Sequence, residues 1–127
     1  MDYSKFVDSI LKQDSRNRIE KTNRIISDLP DQLADFYSLY EPKDVEIVLK
    51  DLSAIILYPY KHLDNLQNEY DLKENFFVFA TRNGDPIAIY NDNVVTLSHG
   101  IKSPDIEVIA NSLNTYIDQI MSNMRDR

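Results

Sequence analysis

The chain has 127 residues, 43% of them hydrophobic and 28% charged, with no cysteine and a formal net charge of −7. That length suits one domain able to bury a core, and the missing cysteines exclude disulfides and thiolate chemistry. No apolar run reaches the roughly 20 residues of a membrane helix, and the acid-containing opening MDYSKFVDSILKQ is no signal peptide, so a cytoplasmic protein that does not enter a membrane is expected.

The elements are taken in chain order. Tyr3, Phe6, Val7, Ile10 and Leu11 fall on one helical stripe. The following DSRNRIEKTNR, with Arg16, Arg18, Lys21 and Arg24, reads as a polar connector or an exposed helix; a patch for phosphate or an acidic partner is the less favoured alternative. DLPDQLADFYSLY is a second helix, with Pro30 in its first turn, Leu33, Phe36, Tyr37 and Tyr40 along its apolar stripe, and Pro42 as its stop. Val45, Ile47 and Leu49 alternate with Glu46, Val48 and Lys50 as in a half-buried strand, and Leu52 to Leu57 forms a denser one. A polar helix, YKHLDNLQNEYDL, then turns Leu63, Leu66 and Tyr70 inward.

From Glu74 to Gly100 the pattern is a three-strand meander. Asn83-Gly84 is a strong hairpin signal because both residues tolerate positive φ. A two-residue turn pairs Arg82 with Asp85; a three-residue loop pairs Thr81 with Asp85 and turns Phe77 and Phe79 inward. Burying phenylalanine outweighs burying alanine, which favours the longer loop. Along the middle strand, Asp85, Ile87 and Ile89 then bond backwards, so Ala88 and Tyr90 must bond forwards. That parity points to a three-residue loop, Asn91-Asp92-Asn93, with Tyr90 opposite Val94. Ile87, Ile89, Val95 and Leu97 would share the core face. The last helix is expected to start at Ser103-Pro104-Asp105 and to hold one apolar face from Ile106 to Met124. The chain therefore reads as a single α+β domain over residues 1–127: an antiparallel sheet of about five strands flanked by N-terminal helices and a long C-terminal amphipathic helix.

Charge is unevenly placed: residues 1–24 carry +2, residues 25–101 carry −8 and residues 102–127 carry −1. The acidic middle argues against nucleic-acid binding and suits a basic partner, although many proteins are acidic for solubility alone. His62 and His99 lie on different predicted elements without metal-ligand spacing. No Gly-x-Ser-x-Gly turn or phosphate-binding glycine loop occurs. Asp64, Glu69, Asp71 and Glu74 cluster around a helix and its exit, and Asp85 follows the hairpin glycine; no spacing among them selects a catalytic pair. No catalytic residue, cofactor or metal is expected, and a hydrolase using Asp85 or Asp64 is the weakest alternative.

LPDQLADFYSLYEP, the Tyr58-Pro59 step, NFFVFATRNGDPIAIY with its Gly84-Asp85, and IEVIANSLNTYIDQI together resemble the SUKH superfamily over about residues 20–122. That superfamily unites fungal cell-wall-assembly regulators with many bacterial immunity proteins. The resemblance implies a non-catalytic α+β domain whose partner is a cognate protein toxin such as a nuclease; a monomer or weak homodimer is expected. A regulatory or scaffold domain binding a cellular protein or small ligand is the alternative. Asp85, Tyr90, Asp64, Glu69, Asp71 and Glu74 are the expected partner-binding residues.

Overall fold

The computed structural model describes residues 2–70, 75–97 and 106–126. In chain order the elements are α1 (Ser4–Gln13), β1 (Arg18–Lys21), α2 (Asp31–Leu39), β2 (Tyr40–Val48), β3 (Ala54–Leu57), a 3-10 turn (Tyr60–His62), α3 (Leu63–Tyr70), β4 (Phe77–Arg82), β5 (Asp85–Tyr90), β6 (Asn93–Leu97), β7 (Ile106–Ala110) and α4 (Leu113–Asn123). The strands form one antiparallel sheet in sequence order, with β1 and β7 at its edges.

The α+β character is as expected, but the count of about five strands is corrected to seven, with four α-helices among the described residues. β1 escaped the sequence reading because Ile19 is its only apolar residue, so no alternation exists to detect. β7 was hidden by a coincidence of spacing. Ile106, Ile109 and Ala110 continue the helical stripe of α4, yet the run Ile106–Ala110 is rich in β-branched residues and pairs with β6 instead. The helix begins only at Leu113, where the Ser112 hydroxyl accepts from the Thr115 N–H at 3.0 Å. The expected start at Ser103, Pro104 and Asp105 lies outside the described residues. At the other end, α2 stops at Leu39 rather than at Pro42, and Tyr40 already opens β2.

The meander corrects both expected turns. Arg82 pairs with Asp85 across a two-residue turn, with Asn83 at φ 51° and Gly84 at φ 88°. A bulge between Val78 and Ala80 then inserts Phe79 as an extra residue on β4. This combines the two alternatives weighed from sequence, because the short turn and inward phenylalanines become compatible once Phe79 and Ala80 face the same way. The second turn is also two residues, Asn91 (φ 49°) and Asp92 (φ 65°), pairing Tyr90 with Asn93. Forward bonding through Tyr90 is kept, but the loop is one residue shorter than expected. Ile87 and Ile89 consequently lie opposite Thr96 and Val94, and Ala88 lies opposite Val95.

Helices α1, α2 and α4 cover one face. Phe6, Leu33, Phe36, Tyr37, Leu113 and Tyr116 close on Leu57 and Phe79 around a gap of only about 20 Å³. Phe36 sits centrally, edge-on to Tyr3 at 5.2 Å and to Tyr37 at 5.5 Å. Helix α3 packs against β4 from the other face, where Leu63 and Leu66 are buried.

Three side-chain amides complete the sheet where strands run out. Gln13 pairs with both backbone groups of Val48 (2.7 and 2.9 Å), Asn17 with those of Glu46 (3.0 and 2.9 Å) and Gln67 with those of Val78 (2.6 and 2.8 Å). Each carboxamide stands in for a neighbouring peptide unit and satisfies a donor and an acceptor that would otherwise go unpaired. β1 therefore needs to cover only the first half of β2, and Gln67 pins α3 to β4.

Candidate functional site: an acidic, tyrosine-lined face around α3

Register decides which side chains share the face beneath α3. Val45 pairs with Leu57, and both point to the α1/α2/α4 side; Glu46 pairs with Ile56, which pairs with Thr81, on the α3 side. Asp44, two residues before Glu46, projects the same way. Both carboxylates are exposed, and Ile56 beside them is 37% exposed. Arg16 lies at the margin of this acidic strip. Its pKa is raised chiefly by the hydrogen bond to Asp14, with Glu46 and Asp44 adding to the rise.

Half-buried tyrosines join the strip to α3. The Tyr58 hydroxyl lies 3.2 Å from Thr81 Oγ1, while the Tyr58 carbonyl accepts from the buried Tyr37 hydroxyl at 2.6 Å. The Tyr70 hydroxyl donates to the Gly84 carbonyl at 2.8 Å, tying the end of α3 to the β4–β5 hairpin. Burial raises the Tyr70 pKa, and the charges of Tyr58, Glu69 and Asp85 add to the rise. Tyr60 donates to Asp28 Oδ1 at 2.7 Å and carries Arg24 over its ring at 4.6 Å. The hydrogen bond to Asp28 is the main cause of its raised pKa, with burial next and Asp64 adding. Arg24 also reaches buried Glu41 at 3.3 Å, and Glu41 accepts from the Tyr60 N–H at 3.0 Å, which fixes the Tyr60 backbone.

Of the residues expected to bind a partner, Asp64 and Glu69 are exposed on α3, and Asp85 is half-buried near Tyr70 at its end. Tyr90 does not join them. It lies at the far end of β5 from Asp85, five residues or about 17 Å away, stacked on Phe76 with ring centroids 4.1 Å apart. Asp71, Glu74 and His99 lie outside the described residues. The sequence reading missed Asp44, Glu46, Ile56 and Tyr58. Strand alternation was a usable signal, since placing Val45 and Ile47 inward already turns Asp44 and Glu46 outward.

Among the described residues no group of three or more histidine, aspartate or glutamate side chains is arranged to hold a metal ion. No helix among them is long and apolar enough to cross a membrane. His62 is exposed in the 3-10 turn. No family model, no curated protein and no solved structure matches the chain.

Chemically, the α3 face offers acceptors and rings. Carboxylates attract lysine and arginine from a distance, and tyrosines supply rigid contact area with a polar tip.

Proposed function

We propose that the chain is a non-catalytic, cytoplasmic protein-binding domain of immunity type, and that its α3 face occupies the basic surface of a cognate toxin such as a nuclease. The observation that carries this reading is that exposed Asp64 and Glu69 on α3 and exposed Asp44, Glu46 and Ile56 on the strands beside it, with half-buried Tyr58 and Tyr70, belong to the side of the sheet that α3 covers. Tyrosine and an apolar contact at the centre with charges around them is the composition of a binding surface. Four exposed acids on this side would speed encounter with a positively charged partner and make that rate sensitive to salt. The resemblance to the SUKH superfamily points the same way.

The test is protection. A candidate toxic domain is expressed with and without the chain, and cell survival and direct complex formation are measured. Survival should depend on the chain and be lost in the double variant Asp64→Lys/Glu69→Lys. If the variant protects as well as the unaltered chain, the α3 face is not the surface. If the unaltered chain gives no protection and forms no complex, the immunity reading fails. A regulatory or scaffold domain is the second reading, favoured by a polar recess on the opposite side of the sheet.

A further inference from the structure

That recess, of about 290 Å³, opens between α4, the β2–β3 turn and the end of β4. Leu49, Ile55 and Ile120 form its apolar floor, and Lys50, Asp51 and Arg82 stand around it. Tyr116 also lines it. This residue is only 4% exposed, yet its buried hydroxyl has no hydrogen-bond partner. Burial raises the Tyr116 pKa and the charge of Arg82 opposes the rise, so the guanidinium is within electrostatic range of the phenol oxygen.

Tyr116, Arg82 and Lys50 have donors to spare in this recess, which the amides of Gln119 and Asn123 also line. A buried phenol without an acceptor costs about 1–3 kcal/mol, a penalty that a bound acceptor would remove. Arg82 gives Nε to Ser53 Oγ at 3.0 Å and Nη2 to Asp51 Oδ2 at 2.8 Å, and its Nη1 makes no hydrogen bond among the described residues. Lys50 Nζ gives one of its three protons to the Ser122 carbonyl at 3.2 Å. Two cations against Asp51 leave a local positive charge in a chain whose net charge is −7. A bare inorganic anion would use the donors and waste the floor; a neutral apolar molecule would do the reverse.

We infer that the recess is a binding site for a small carboxylate with a short hydrocarbon tail. The carboxylate accepts from Arg82, Lys50 and the Tyr116 hydroxyl, and the tail lies over Leu49 and Ile120, with Ile55 fully buried beneath. The volume lies at the small end of the range for ligand pockets, about 300–1,000 Å³. The site is on the opposite face from α3 and does not depend on the toxin-binding reading.

The test is an amide-resolved NMR titration of the full chain with butyrate, inorganic phosphate and butanol in turn. Butyrate should give saturable shifts centred on Arg82, Tyr116 and Gln119, with phosphate weaker and butanol without effect. Tyr116→Phe keeps the ring and should weaken butyrate about tenfold, the loss of one hydrogen bond to a charged acceptor. Lys50→Gln changes an exposed side chain, leaves the fold intact and should weaken butyrate by a smaller factor. No saturable shift with butyrate would overturn the inference. So would butanol binding as well as butyrate, phosphate binding more tightly at the same residues, or unchanged butyrate affinity in both variants.

Discussion

The two faces of the sheet are built from the same alternating strands but finished differently. Toward α1, α2 and α4, Ile47 and Ile55 meet Ile10 and Leu33, each 1% exposed or less. Toward α3, a single helix of eight residues covers the middle of the sheet and leaves Ile56, Asp44 and Glu46 open to solvent beside it. Covering a face with three helices makes a core; covering it with one short helix leaves a ring of half-buried aromatics. Stability should therefore reside in the first face and recognition in the second.

The sharpest way to break this contrast is to truncate one residue from each face. Leu33→Ala should cost about 2–5 kcal/mol in urea unfolding, the usual range for a buried leucine. Ile56→Ala should cost about 1 kcal/mol or less, because much of its surface is already wet. Equal losses would mean that Ile56 is packed as tightly as Leu33.

Alkaline titration probes the same core. Burial pushes the Tyr116 hydroxyl up to about 12 from 10.0 and raises the pKa of Tyr37 as well. A folded-state pKa above the unfolded value means that the proton is held more tightly in the folded chain. Its contribution is complete below pH 10 and is lost as pH climbs through the folded value. Stability should fall from about pH 10 upward, by on the order of 2 kcal/mol for Tyr116 by pH 12, and Tyr116→Phe should flatten that part of the curve. An unchanged alkaline limb in Tyr116→Phe would show that Tyr116 titrates normally.

On the α3 side a polar anchor can be tested in the same way. Gln67→Ala removes both side-chain bonds to the Val78 backbone and should cost about 1–3 kcal/mol by leaving those groups unpaired. Gln67→Glu should recover only part of this, since a carboxylate accepts from the Val78 N–H but cannot donate to its carbonyl. Amide hydrogen exchange at Val78 would report both effects directly. The smallest effect belongs to the acids: Asp64→Asn with Glu69→Gln should change unfolding free energy by no more than about 0.5 kcal/mol.

Much of this organisation can be read from the chain itself. The stripes of Tyr3 to Ile10 and Leu33 to Tyr37, the alternation of Val45, Ile47 and Leu49, and the Asn83-Gly84 turn each carry their structure locally. What could not be read is set by partners distant in sequence. β1 is a strand because β2 offers it an edge, and β7 because β6 does; neither reason is present in RIEK or IEVIA. The Phe79 bulge likewise settles a competition between turn geometry and phenylalanine burial that short-range rules treat as exclusive. For the candidate surface, the acids of α3 were legible as a cluster, whereas Asp44 and Glu46 join them only through the pairing of Glu46 with Ile56. Tyr90 and Asp85 stand at opposite ends of β5, a separation that closeness in sequence hides.

The most direct measurement is the association rate of the chain with a toxic domain of the kind proposed as its partner, at low and physiological salt, for the unaltered chain and for Asp44→Lys/Glu46→Lys/Asp64→Lys/Glu69→Lys. The expected result is fast association that slows as salt rises, and a loss of at least about tenfold in rate for the fourfold variant with its unfolding transition kept. An association rate indifferent to both salt and the four reversals, or no complex at all, would contradict the assignment of recognition to the α3 face.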